Sequence, residues 1–117
     1  MVWLCQNDVH KLSGPALDAI NEHDLLISPV VLVELNYLLQ NKILIRPPHD
    51  IVRQLKTQIG LGICAHSFPD IAETAVFETW TRDPFDLLIV SNAKANGYAP
   101  LITKDEKIRA NYQRAVW

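Results

Sequence analysis

Three acidic residues stand where a carboxylate is costly unless something compensates it: Glu34, Asp86 and Asp105. Glu34 lies within Val30-Val31-Leu32-Val33-Glu34-Leu35, a run that reads as a helix apolar nearly all round, the pattern of a buried helix. No Lys or Arg lies within a helical turn of it to offset the burial of charge. Asp86 precedes Leu87-Leu88-Ile89-Val90 at the start of an expected helix, and Asp105 follows Leu101-Ile102-Thr103 at the carboxyl end of an expected strand. Ligand crevices of open α/β sheets form outside the carboxyl ends of the strands. Ser28 also follows an expected strand, so the helix bearing Glu34 starts at that same edge. Converging carboxylates either protonate or hold a cation between them. Oxygen-only ligands select Mg2+ or Mn2+ over softer metals. A divalent ion so held activates water and stabilises a phosphodiester transition state, so the chemistry these residues point to is metal-assisted phosphodiester hydrolysis.

Each acid also has a plainer reading. Asp83-x-x-Asp86 suits a capping box, and both acids favour a helix N-terminus. Glu34 suits a partly exposed helix edge, and Asp105 an ordinary loop. The functional reading rests on the three together. His10, His23, His49 and His66 are scattered without ligand spacing, which places each on the surface or in the core. Lys104, Lys107, Arg109 and Arg114 make the C-terminal part basic, by default a solvated face and alternatively a phosphate-contacting patch.

The elements that must position these residues alternate on a short period. Ser13-Gly14-Pro15 opens an expected helix to residue 23, with Ser13 as cap. Residues 25–28 read as a buried strand, and Ser28-Pro29 starts a helix running to about residue 41. Residues 42–49 form a loop, and Asp50 caps a helix over 51–59 that Gly60 and Gly62 break. A short strand falls within 61–68, a helix over 69–80, a helix over 83–95 ended by Gly97, and a strand over 100–103. A helical turn at 105–110 and a terminal strand at 115–117 complete the order. Short strands alternating with helices argue for one α/β domain with a mainly parallel sheet.

The 117 residues suit a single domain, and 49% hydrophobic residues are enough for a core. The net charge of −2 speaks against a module held on nucleic acid by bulk electrostatics, but not against an enzyme that meets one phosphate at a metal. Cys5 and Cys64 form no CxxC pair and no disulfide framework, which suits a reduced, cytoplasmic protein. The first residues lack a basic leader before a long apolar run, so no secretory signal is read. The longest apolar stretch, 29–39, contains Glu34 and Asn36 and is too short to span a bilayer.

At these residues the chain resembles the PIN-domain family, and within it the VapC toxins of toxin–antitoxin pairs. The carrying segments are Ile27-Ser28-Pro29-Val30-Val31-Leu32-Val33-Glu34-Leu35, then Arg82-Asp83-Pro84-Phe85-Asp86-Leu87-Leu88-Ile89-Val90-Ser91-Asn92-Ala93, then Leu101-Ile102-Thr103-Lys104-Asp105. Ala115-Val116-Trp117 suits the family's last strand. The resemblance covers essentially the whole chain, and the Asp-Pro-Phe-Asp block is its most specific part. It implies a three-layer α/β/α domain over 1–117 and Mg2+- or Mn2+-dependent ribonuclease activity. Glu34, Asp86 and Asp105 match its acidic metal positions, with Asp83 as cap or support for Asp86. It also implies an antitoxin partner and a homodimer. One departure stands out: such domains normally begin with a strand ending in an Asp-Thr-His-like motif ahead of a segment like Val2-Trp3-Leu4, and no such strand or acid is found here. By analogy that strand lies in mid-sheet, between the strands at Leu25 and Pro100. Lacking it would remove one metal ligand and leave two inner edges unpaired. The alternative function is therefore a non-catalytic interaction protein of the same fold that binds an antitoxin-like partner. A phosphoacceptor receiver domain also gathers acids at strand ends, and Lys104 would suit its late lysine, but the acidic pair after a first strand is missing.

Overall fold

Proline after a short polar cap opens two of the long helices, as the sequence leads one to expect. The computed structural model describes Gly14, Pro15, Asp18 and residues 24–117. In helix α1 (Pro29–Gln40), Ser28 is the N-cap and its Oγ accepts from the Val30 N–H at 3.3 Å. Helix α4 (Pro84–Ala95) starts from Asp83 in the same way. Proline at the first position has no N–H to leave unpaired, and its fixed φ already suits the helix. Of the helix expected over 13–23, Gly14, Pro15 and Asp18 are helical and the rest lies outside the described residues, as do Cys5, His10, His23 and the Val2-Trp3-Leu4 segment.

Two helix boundaries differ from expectation. Helix α2 (Pro48–Ile59) begins with Pro47 at its N-cap, so Asp50 is an acid of the first turn and not the cap. Its end is as read: Gly60, at φ 69°, takes the left-handed turn and returns its N–H to the Leu55 and Lys56 carbonyls. Helix α3 (Phe68–Ala75) stops five residues before the expected end at Trp80. Helix α1 is also not buried all round: Val31 and Leu35 are buried, while Val33 and Tyr37 are 59% and 56% exposed. Its apolar residues outnumber the places its neighbours offer.

The expected single sheet is two separate parallel pairs among the described residues. Strand β1 (Leu26–Ile27) pairs with β2 (Gly62–Ile63). Strand β3 (Leu101–Ile102) pairs with β4 (Ala115–Val116). No ladder joins the pairs among the described residues. The Gly62 and Cys64 N–H groups donate to the Leu25 and Ile27 carbonyls at 2.9 and 2.8 Å. Gly62, read above as a helix breaker, is a strand residue: a Cβ there would come within 3.2 Å of the Leu26 side chain. In a parallel ladder alternate residues face one neighbour, so the backbone groups of Leu26 turn to the opposite edge.

Two apolar clusters hold these pieces. Ile27, Val31 and Leu35 pack with Leu44, Ile51, Leu55 and Leu61, which seats α1 and α2 on β1. Val90, Ala93, Ile108 and Tyr112 form the second cluster, which brings helix α5 (Glu106–Asn111) and β3 to α4. Ile89 of α4 packs on the first cluster, so α4 touches both. The result is a mixed α/β arrangement in which α4 also packs against α3 and α1. No helix of the described residues is long and apolar enough to cross a membrane.

Candidate functional site

Helix α1 and the start of α4 meet where the acids stand. The rings of Tyr37 and Phe85 lie 5.8 Å apart, tilted by 48°. Glu34 is three residues before Tyr37, on the same helical face, and Asp86 follows Phe85. The contact therefore brings Glu34 toward Asp86.

The capping question at α4 has a definite answer. Asp83 is the cap: its Oδ1 accepts from the Phe85 N–H at 2.8 Å and the Asp86 N–H at 3.3 Å. A capping box would have the Asp86 carboxylate return to the Asp83 N–H. That N–H instead donates to Thr81 Oγ1 at 3.1 Å. Asp86 is thereby released from capping, and its half-buried carboxylate makes no hydrogen bond to the described residues.

Asp105 is both a cap and a candidate ligand. It follows β3 as expected, and its Oδ1 accepts from the Ile108 N–H at 2.9 Å, which starts α5. Its own N–H donates to Thr103 Oγ1 at 3.1 Å. These two bonds fix the orientation of an otherwise exposed side chain.

Electrostatics link Asp86 to Glu34 on one side and to Asp105 on the other. Burial, then the negative charges of Asp83 and Asp105, push Asp86 up from its ordinary 3.8 to about 6, against the pull of Lys107. Burial likewise raises Glu34, and Asp86 and Asp83 add to the rise. Lys107, read from the sequence as part of a solvated basic face, stands within electrostatic reach of Asp86. Lys104 instead sits over the Trp117 ring, 5.9 Å from its centre.

A hard divalent cation suits this donor set in chemistry: carboxylate oxygens whose mutual repulsion a positive ion would relieve. The spacing is less complete. No three His, Cys, Asp or Glu side chains among the described residues stand close enough together to hold an ion as they are. The site is a facing set of acids and not a closed ligand cage.

Asp86 titration should be visible in stability. Its pKa is raised in the folded protein, so the protonated form is favoured by folding. The associated stability is full below about pH 3.8 and is lost as pH rises through about 6. Asp86→Asn should therefore be more stable than wild type at neutral pH, by on the order of 1–2 kcal/mol after allowance for solvent screening. The gain should vanish below pH 4 in urea denaturation run at both ends of that window. A variant no more stable than wild type at neutral pH would mean that Asp86 is unstrained by its neighbours.

Two groupings escaped the sequence. Glu78 turns inward to an ion pair with Lys94, and its Oε2 accepts from Trp80 Nε1 at 2.6 Å. Cys64 is buried against the amides of Asn92 and Asn96. Both join residues far apart in sequence, so no local pattern could reveal them. A groove of about 650 Å³ borders the Glu78–Lys94 pair, lined by His66, Glu73, Phe77, Glu78, Lys94 and Tyr98 among others, and neither Cys64 nor any of the three acids lines it. No protein-family model, curated protein or solved structure matches the chain.

Proposed function

We propose that this chain is a PIN-type domain of the VapC toxin kind whose acidic edge serves metal-dependent RNA cleavage. The observation that carries the reading is the facing of Glu34 and Asp86 across the α1–α4 contact, with Asp105 in the same electrostatic field. Asp83 takes the helix cap and leaves the Asp86 carboxylate uncommitted, the arrangement expected of a ligand and not of a structural acid. Glu34, Asp86 and Asp105 would hold Mg2+ or Mn2+, which when bound supplies Lewis acidity toward a phosphodiester. The residues themselves do the rest. Asp105 is oriented by its cap, Asp86 is anchored at the helix N-terminus, and Lys107 offers a cation to a phosphate near Asp86. A three-layer α/β/α fold, an antitoxin partner and a homodimer belong to this same proposal.

The test is calorimetric titration of the chain with Mn2+, beside Asp86→Asn. Binding that disappears in the variant, while the variant stays folded, would support a carboxylate metal site. RNA cleavage that is undiminished in Asp86→Asn would sink the nuclease reading.

A second reading is favoured by the incomplete ligand spacing and by the two unjoined strand pairs: the same fold acting as a non-catalytic partner-binding protein. Under it, Mn2+ binds no more tightly to wild type than to Asp86→Asn. Metal-dependent cleavage by the chain, lost in that variant, would count against it.

A further inference from the structure

Cys64 is held in an unusual way for a buried thiol. It is 5% exposed, and its sulfur receives Asn96 Nδ2 at 3.0 Å and Asn92 Nδ2 at 3.4 Å. The backbone of His66 gives a further hydrogen bond. A neutral thiol is a weak acceptor, whereas converging N–H donors suit a sulfur that carries negative charge. Burial pushes this thiol up, but the bonds from Asn96, Asn92 and His66 outweigh it and leave Cys64 below the usual thiol range.

An independent observation lies beside the sulfur. Asn92 is 5% exposed, and its Oδ1 is buried without a hydrogen-bond partner among the described residues. A buried acceptor left unpaired costs free energy, and such an atom calls for a donor. The other half of the same amide already touches Sγ, so a donor carried on the sulfur would stand beside this oxygen. Turning the amide over would let a thiol S–H reach Oδ1, but Nδ2 would then be the orphan. A hydroxyl carried on the sulfur satisfies both halves at once: Nδ2–H to sulfur, and S–O–H to Oδ1.

We propose that Cys64 is a modification site for hydrogen peroxide, whose sulfenic acid product is held by the Asn92 amide. The sulfur attacks one peroxide oxygen; an S–O bond forms as the O–O bond breaks. Sulfur loses two electrons, the peroxide is reduced, and the leaving hydroxide combines with the thiol proton as water. Cys64 does not itself line the groove; the surface is reached past two of its hydrogen-bond partners, the exposed Asn96 and His66, which lines the groove. The site lies just after β2 and at the C-terminal end of α4, apart from Glu34, Asp86 and Asp105, and stands whether or not those acids bind metal.

The experiment treats the folded chain with hydrogen peroxide and dimedone and locates the adduct by peptide mapping, with Cys64→Ser as background. The Cys64 adduct should form roughly ten-fold faster in the folded chain than in the same chain unfolded in urea. Asn96→Ala, at an exposed position, removes the shorter amide donor and should slow the reaction about ten-fold. Asn92→Ala should still be oxidised but should run on to the sulfinic acid, because nothing then holds the first product. No adduct at Cys64 in the folded chain, a rate no higher than in urea, or an unchanged rate in Asn96→Ala would each overturn the proposal. The folded wild-type comparison stands even if the Asn92 variant does not fold.

Discussion

Replacing Lys94 with methionine is expected to destabilise the protein by about 3–5 kcal/mol, the range for removing one partner of a buried ion pair. The Glu78 side chain is only 5% exposed and that of Lys94 22%. Each Glu78 oxygen has its own donor: Lys94 on Oε1 and the Trp80 indole on Oε2. Lys94→Met keeps the length of the side chain and most of its packing, so the loss isolates the charge. The carboxylate left behind has one neutral donor and little water. Urea unfolding followed by tryptophan emission measures the change, and Trp80 reports directly because its N–H is bonded to the affected group. The double variant Glu78→Gln with Lys94→Met should recover much of the loss, because the charge that lacked a partner is gone. A loss below about 1 kcal/mol in Lys94→Met would mean that water solvates Glu78 as it does a surface pair.

The pair also lies just beyond the end of α3. The sequence over 69–80 continues with residues compatible with a helix, and a reading to Trp80 follows from it. The helix stops at Ala75, three residues before Glu78, whose side chain turns to Lys94 of α4, a contact sixteen residues away that no local pattern shows. Helix starts were legible for the opposite reason. Ser28-Pro29 and Asp83-Pro84 carry cap and first turn within two residues, and both were read at the right place. Asp50 was misread as a cap because Pro47-Pro48 already begins α2. The burial of α1 was over-read: an apolar run does not say how many neighbours will cover it, and Val33 and Tyr37 are left outside. The parallel pairing of short strands was legible, and two separate pairs among the described residues are in keeping with the unpaired inner edges expected between the strands at Leu25 and Pro100, though not with the single sheet read from the residues alone.

The candidate site divides along the same line. The order of elements led to Glu34, Asp86 and Asp105 at one edge; in the structure Asp86 is within electrostatic reach of Glu34 and of Asp105, and no three acids among the described residues stand close enough to hold an ion. Whether Asp86 or Asp83 capped α4 stayed open in the sequence, because both acids suit a first turn. Thr81 decides it by taking the Asp83 N–H. Lys107 was read as part of a solvated face because its nearness to Asp86 depends on where α5 packs against α4, through Ile108 and Val90.

Leu35→Ala should cost about 2–5 kcal/mol, a large part of the roughly 5–15 kcal/mol that holds a domain of this size. Leu35 is 1% exposed in the cluster with Ile27, Ile51 and Leu55. Truncating it opens a cavity between α1, α2 and β1 that these neighbours can close only in part. Urea midpoints measure the loss, and a value below about 1 kcal/mol would mean that α1 is not seated on this cluster. The adjacent residue gives the contrast. Glu34 and Leu35 lie about 100° apart around α1, one toward Asp86 and one toward the core. A fold-bearing residue and a site-bearing residue should then respond with opposite signs. Leu35→Ala destabilises, whereas Asp86→Asn, which removes the repulsion Glu34 feels, stabilises at neutral pH. Under the metal site proposed above, Mn2+ should raise the urea midpoint of wild type and of Leu35→Ala alike, because ligand binding adds to whatever stability the fold retains. It should leave Asp86→Asn where it was. An equal response of all three to Mn2+ would place metal binding somewhere other than the α1–α4 edge.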